Sequence, residues 1–359
     1  MTNHTLIIAE AGVNHNGSID LALELIDSAA EAGADVVKFQ TFKAENLATK
    51  AAEQAPYQTR NTGQIETQYD MLKKLELDEK SHTLLAEHCK RRNIIFLSTP
   101  FDVESLDLLV NKFDLPYIKI SSGDITNAPF LLEVAKTQKN IILSTGMCTL
   151  GDVEQALGVL AFGFIGSKEP PTISAFEKSY ASHEGRSALT AKVTLLHCTT
   201  EYPAPFEDVN LNAMGTMRCA FSLAVGYSDH TSGIAIPIAA VALGAVVIEK
   251  HFTLDRGLPG PDHKASLEPD ELKKMVDGIR QIEVAMGSSI KKPSAIELKN
   301  RVIGRKSVVA LKNISDGEML SSNNLSIKRP GNGISPIHYW DLLNQKAKKS
   351  YTEDDEINQ

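Results

Sequence analysis

"AVGYSDHTSGIAIPIAAVALGAVVIEKHF", residues 224–252, contains two short apolar runs with just enough chain between them for one helix. The first ends on Asp229 and His230, the second on Glu249 and His251. Strand, helix and strand in that order predict two neighbouring parallel strands, so the two histidines can converge on one point. Six earlier runs repeat the pattern: "TLIIAE" (5–10), "VVKFQT" (36–41), "IIFLST" (94–99), "YIKISS" (117–122), "IILSTG" (141–146) and "VTLLHC" (193–198). Segments with helical periodicity separate them. In "SIDLALELIDSAAEAG", Leu21, Leu25, Ile26 and Ala29 share a face and Gly33 stops the helix. Near-continuous apolar strands alternating with helices predict an α/β protein whose parallel sheet is covered by helices. A count of eight runs favours a closed (β/α)8 TIM barrel over an open doubly wound sheet.

Two intervals break the spacing. Residues 43–80 are long and polar, and "APYQTRNTGQ" reads as a loop on the C-terminal side of a strand, where a lid would sit. Residues 164–190 interrupt the unit before the sixth strand and read as an exposed excursion on the opposite face. After a helix near 269–285, "GSSIKKPSAIELKNRV" reads as a linker. The C-terminal remainder is a small module broken by Asp-Gly, Asn-Asn and Gly-Asn-Gly turns. The expected plan is a barrel over 1–285, a linker over 286–300 and a small domain over 301–359 that needs a docking partner for stability.

Bulk composition narrows the function classes. Of 359 residues, 42% are apolar and 23% charged, which is ordinary globular usage. A net charge of -8 argues for solubility and against nucleic acid as the main partner, so an anionic substrate needs a local basic pocket. Cys89, Cys148, Cys198 and Cys219 form no C-x-x-C pair, which argues against a disulfide framework or a zinc knuckle. No stretch approaches a membrane span, and "MTNHTLIIAEAG" lacks a basic leader region, so the chain reads as cytoplasmic.

Catalytic groups of a barrel sit at the C-terminal ends of its strands. Those ends carry Glu10, Lys38 with Gln40, Ser98, Lys119 with Ser122, Ser144, His197, Asp229 with His230, and Glu249 with His251. His230 and His251, on adjacent strands, suit a divalent transition metal, or each caps its strand by hydrogen bonding. His197 has no carboxylate at ligand spacing and reads as a supporting residue. Lys38 and Lys119 lie inside apolar strands and need anionic partners, because burying a lone ammonium is costly. They form a phosphate or carboxylate cradle, pair internally with Glu10, face the helices and snorkel outward, or supply a Schiff-base amine. Glu10 serves as a general base or as the partner of Lys38.

Taken together, "EAGVNHNGS", "VVKFQTFKAE", "STPFD", "YIKISSGD", "ILSTGM", "LLHCTTEYPAPFEDVNLNAM", "GYSDHTSG", "IEKHFTLDRGLPGPDHKASLEP" and "KRPGNGIS" resemble the bacterial sialic acid synthases. The N-acetylneuraminate and N,N'-diacetyllegionaminate branches share the "KFQTFKAE…APYQ" segment. The resemblance spans nearly the whole chain. It implies a barrel followed by a small antifreeze-like (SAF, β-clip) domain, and a domain-swapped homodimer. It further implies condensation of phosphoenolpyruvate with an acylated amino sugar. Under it, His230 and His251 correspond to ligands of a divalent metal, Mn2+. Lys38, Lys119, Ser122, Ser144 and Ser228 correspond to phosphoenolpyruvate contacts, and Glu10 to the acid/base group. Gln40, Tyr202 and Asp262 correspond to contacts with the sugar or metal-bound water. Arg329 in "KRPGNG" corresponds to an arginine that reaches the partner subunit's sugar pocket. Two positions depart from the pattern: Asp124, a candidate sugar contact, stands where the family carries Glu, and Thr200 stands where some members carry Asn. The 164–190 segment is an insertion relative to it. A Schiff-base sugar-acid aldolase and a non-enzymatic sugar-binding protein are the alternatives.

Overall fold

The computed structural model describes residues 4–358, and the chain divides into two compact units, Met1–Gly287 and Ser288–Gln359. The first holds eight parallel strands: β1 (Leu6–Gly12), β2 (Val36–Thr41), β3 (Ile95–Pro100), β4 (Tyr117–Ile120), β5 (Asn140–Ser144), β6 (Val193–His197), β7 (Ala224–Asp229) and β8 (Val247–His251). They are the eight runs expected from sequence. Their hydrogen-bonded order is β3-β2-β1-β8-β7-β6-β5-β4, and β3 packs beside β4, which curls the sheet into a nearly closed TIM-like barrel. Local chemistry sets the helices between them. Helix Ile19–Ala32 starts where Ser18 accepts the Leu21 amide and stops at Gly33, whose φ of 83° is left-handed. Its buried side chains, Ala22, Leu25, Ile26 and Ala29, join one apolar core with the outward faces of the strands.

Parallel register stacks the polar residues in a layer: Glu10 pairs with both Lys38 and His251, and Ser228 pairs with Glu249. Side chains alternate across each strand, so Glu249 and His251 face the barrel interior while Lys250 faces the surrounding helices. There Lys250 Nζ lies 2.5 Å from Asp229 Oδ2 and also donates to the Thr231 carbonyl, with both charged side chains fully buried.

Three segments differ from the sequence-based expectation. Residues 43–80 form short helices, Ala44–Leu47, Pro56–Thr62 and Gln68–Leu75, rather than a loop. Pro56 pre-sets the first turn of the middle one, Gln58 accepts the Ala55 amide at 2.9 Å, and Gly63 ends it at φ 67°. Within 164–190, helices Ile173–Ala181 and His183–Lys192 pack on helix Leu150–Phe164. Gly158 favours that close packing, because a Cβ there would stand 3.2 Å from the Phe176 carbonyl oxygen. The expected linker is partly helical: Ser294 and Glu297 cap helix Ala295–Gly304 reciprocally, and none of its residues is buried.

The second unit contains the antiparallel pair β9 (Ser307–Ala310) and β10 (Leu325–Lys328). It has its own small core of Val308, Ala310, Ile314, Leu320, Leu325, Leu342, Tyr351 and Ile357. Among the described residues, no helix is long and apolar enough to cross a membrane.

Candidate active site

The C-terminal ends of the strands open into a cavity of about 510 Å³. Eleven of the predicted site residues line it: Glu10, Lys38, Gln40, Lys119, Ser122, Ser144, Tyr202, Ser228, His230, His251 and Asp262. Asp124 does not. Its carboxylate accepts the Ser121 hydroxyl at 2.7 Å and contacts Asn127, holding the turn after β4. Arg329 belongs to the second unit, where its exposed side chain donates from Nε to the Gly304 carbonyl at 3.0 Å. His197 lies outside the cavity, with Nε2 at 2.8 Å from the Val209 carbonyl, which is the supporting role expected of it.

Four buried charges occupy the floor. Lys38 Nζ stands 2.7 Å from Glu10 Oε2 and 3.6 Å from Glu249 Oε2, and donates to Thr99 Oγ1 at 2.9 Å. Lys119 Nζ stands 3.5 Å from Glu249 Oε1 and donates to Ser144 Oγ at 2.8 Å. Glu249 also accepts the Ser228 hydroxyl at 2.8 Å. Its position between two ammonium groups keeps it ionised: burial works against the charge, but Lys119 and Lys38 outweigh it and hold the pKa at about 2. Glu10 is the softer acid. Burial raises it to about 7, against the pull of Lys38 and with repulsion from Glu249 added. Its proton can therefore come and go near neutrality, which suits an acid/base group. Burial lowers the pKa of Lys119, while in Lys38 the two carboxylates overcome burial and raise it.

The histidines form the adjoining wall, with ring centroids 5.3 Å apart. His230 Nδ1 donates to the Thr199 carbonyl at 2.6 Å, which leaves the Nε2 lone pair free. His251 Nδ1 is buried without a hydrogen bond, 3.6 Å from Asp262 Oδ2. Burial lowers both histidine pKa values, that of His251 strongly, and raises Asp262 to about 6. Neutral imidazoles with a nearby carboxylate fit a divalent metal ion. Among the described residues, no group of three or more His, Cys, Asp or Glu side chains gathers at metal-ligand spacing. Two protein nitrogens are thus the donors at hand, with room for oxygen ligands from substrate and water.

A polar cradle completes the end of the cavity beneath β4, β5 and β6. Ser122 Oγ accepts the Gly146 amide at 2.9 Å and lies 3.2 Å from Cys198 Sγ. Gly146 has to be glycine, since a Cβ would stand 2.7 Å from Thr200 Oγ1 and 2.8 Å from Ser122 Oγ. The Thr200 hydroxyl itself is buried and has no partner.

The amino-acid sequence alone assigns no role to some residues of the site. Glu249 was visible as a strand-end acid beside His251, and alternation along β8 could have placed it inside. Tyr57 was not legible. It stacks on Tyr202 at 4.8 Å between centroids, and Tyr202 in turn lies 4.2 Å from His230. Asn61 ties that helix down, donating to the Pro261 carbonyl at 2.7 Å and the Tyr202 carbonyl at 3.3 Å. The 43–80 segment thus covers the cavity, as a lid would.

Comparison with known proteins bears on the fold and the family. The NeuB family model matches residues 25–291, and the SAF domain model matches residues 305–357. The N,N'-diacetyllegionaminic acid synthase of Campylobacter jejuni is 55% identical over 353 residues, covering 98% of both chains. That of Legionella pneumophila is 47% identical, covering 95% of this chain and 89% of its own. Among solved structures, an N-acetylneuraminic acid (sialic acid) synthetase from Leptospira borgpetersenii, crystallised with citrate, superposes with a TM-score of 0.66. It is 34% identical and covers 83% of this chain and 90% of its own. With a matching barrel, a matching small domain and relatives aligned from end to end, the chain belongs to the NeuB family.

Proposed function

We propose that the protein is a nonulosonic acid synthase. It condenses phosphoenolpyruvate with an N-acetylmannosamine-type sugar, N-acetylmannosamine or 2,4-diacetamido-2,4,6-trideoxymannose, and releases phosphate. The product is N-acetylneuraminate or N,N'-diacetyllegionaminate; the names of the Campylobacter and Legionella relatives favour the second. One observation carries the reading: two buried lysines, two carboxylates and two neutral histidines converge in a single cavity at the C-terminal end of a barrel.

Each group has a chemical task. Lys38, Lys119, Ser122 and Ser144 bind the carboxylate and phosphate of phosphoenolpyruvate and orient its methylene carbon toward the histidine wall. His230 and His251 would hold a divalent ion, Mn2+ by family resemblance, which would supply Lewis-acid polarisation of the sugar aldehyde. The methylene carbon attacks the aldehyde carbon, a C–C bond forms, and the aldehyde oxygen takes a proton to become a hydroxyl. Water adds to the cationic carbon left behind, and Glu10, with a pKa of about 7, accepts its proton. The carbon–oxygen bond to phosphate then breaks, and the new hydroxyl loses its proton as the ketone forms. Gln40, 3.3 Å from Glu10, and Tyr202 line the route of the sugar. The enzyme works in the cytoplasm, where phosphoenolpyruvate is made, as a domain-swapped homodimer in which Arg329 reaches the partner's sugar.

The test is phosphate release from phosphoenolpyruvate with either sugar, and a product of the mass of the corresponding nonulosonate. EDTA should abolish it and Mn2+ restore it. Turnover of pyruvate in place of phosphoenolpyruvate, with EDTA harmless, would establish an aldolase instead.

A further inference from the structure

The hydrogen-bonded pairing of β7 with β8 ends at Asp229 opposite Lys250, one residue short of each histidine. His230 lies beyond that ladder and is fixed from the β6 side. Its ring donates to the Thr199 carbonyl, and its own carbonyl accepts the Ala204 amide at 2.9 Å. His251 is fixed from the β1 side, where it pairs with Glu10, and its carbonyl accepts the Leu267 amide at 2.9 Å. Backbone pairing thus ties the two imidazoles to different neighbours. Their mutual spacing has to be set by another contact.

Lys250 supplies it from behind the wall. It lies outside the cavity lining, yet its Nζ reaches across to β7, to Asp229 Oδ2 at 2.5 Å and to the Thr231 carbonyl. Asp229 in turn accepts the Thr231 amide and the Thr231 hydroxyl, both at 3.1 Å. The residues on either side of His230 are therefore both tied to the residue that precedes His251. Among the described residues, no other side-chain hydrogen bond joins residues 229–231 to β8. Lys250, Asp229 and Thr231 are all 0% exposed. A buried ion pair adds little net stability over apolar residues of the same size, so stability is a weak reason for its presence. Placing the histidines is a stronger one, because groups behind a metal-binding histidine govern its orientation.

We propose that Lys250 is a positioning residue: by clamping Asp229 and the Thr231 carbonyl it fixes the 5.3 Å separation of the His230 and His251 rings at which a divalent cation binds; this rests on the metal-dependent function proposed for the same cavity. Lys250 touches neither substrate nor ion, and acts through the backbone on both sides of His230.

The test is Mn2+ titration of the ligand-free, full-length protein by calorimetry, in wild type, Lys250→Met and the double variant Asp229→Asn/Lys250→Met. The single variant leaves the Asp229 carboxylate buried and unpaired, which lowers stability. The double variant removes both charges and still offers an oxygen to the Thr231 amide, so its urea midpoint should recover much of the loss. Mn2+ affinity should not recover: both variants should bind about 10- to 100-fold more weakly than wild type. The KM for phosphoenolpyruvate should be unchanged, since Lys38, Lys119 and Ser144 are untouched. Weakening of less than about fivefold in the double variant overturns the proposal whatever its stability. Affinity that merely tracks stability, lost in the single variant and regained in the double, overturns it too. Wild type that releases phosphate in EDTA and binds no Mn2+ keeps the synthase but removes the cation, and with it this role for Lys250. If neither sugar releases phosphate while Mn2+ binds and is weakened in both variants, the synthase reading falls and the clamp stands.

Discussion

Replacing Glu249 by Gln removes a carboxylate that lies within 4.0 Å of both lysines of the cavity floor, Lys38 and Lys119. At 3.5 Å from Lys119 and 3.6 Å from Lys38, and with an effective dielectric near 20, each attraction is about 5 kcal/mol. Burial of three charges offsets much of this, and breaking such a cluster by deleting one partner costs about 3–5 kcal/mol. Lys38 keeps Glu10 at 2.7 Å, but among the described residues Lys119 is left with no carboxylate within 4.0 Å. Glu249→Gln should therefore lower folding stability by about 3–5 kcal/mol, measured from urea unfolding at pH 7 without ligands. The lost charge can be returned from outside. Phosphoenolpyruvate or inorganic phosphate beside Lys119 would replace it, so each should stabilise the variant more than the wild type. Wild-type stability in Glu249→Gln, or equal stabilisation of the two proteins by phosphate, would refute the charge accounting of this floor.

His230→Ala and His251→Ala should each abolish high-affinity Mn2+ binding in calorimetry while leaving the unfolding midpoint close to wild type. Lys38→Ala and Lys119→Ala should raise the KM for phosphoenolpyruvate by about 10- to 100-fold, the worth of one charge-assisted hydrogen bond. Borohydride with wild type should trap no lysine adduct, as checked by mass spectrometry. Glu10 has a folded pKa of about 7 against an ordinary 4.5, so its contribution to stability is present below about pH 4.5 and lost as the pH rises through 7. Glu10→Gln should flatten that fall, read from urea midpoints at pH 5 and pH 8, and should also depress kcat. Arg329→Ala and His251→Ala chains, each inactive alone, should regain activity when refolded together if Arg329 acts across a swapped dimer. Verified heterodimers without activity would rule that out.

The barrel was legible because strands covered on both faces read as continuous apolar runs, in which a polar residue at the end stands out. Glu10, Lys38, Lys119 and His251 stand out in that way, and register brings Glu10, Lys38 and His251 into one layer. Short helices were not legible. Pro56–Thr62 has a polar sequence and no apolar period, and it is held by contacts remote in the chain, chiefly Asn61 to Tyr202 and Pro261. The helices within 164–190 are illegible for a related reason: they bury only Ala175, Ser179, Gly185 and Leu189, which is too sparse a stripe to stand out. Asp124 shows the limit of carrying a role over by position. One methylene shorter than Glu, it ties its own turn to Ser121 and Asn127 instead of reaching the cavity.

The back-to-back charges of β8 bear on how the barrel finds its alignment. Glu249 serves one side of the strand and Lys250 the other, separated by a single peptide unit, and each is paired with partners on that side only. Sliding β8 by one residue would turn the lysine into the cavity beside Lys38 and Lys119, and the glutamate into the oily layer beside Asp229. The cavity would then hold three lysines against Glu10 alone, and the outer side two carboxylates together, at a cost of several kcal/mol for each ion. Purely aliphatic strands carry no such penalty, since Val, Ile and Leu tolerate either side. The opposed pair is thus an alignment check written into the wall, one that rejects a slipped closure of the barrel before any substrate is present.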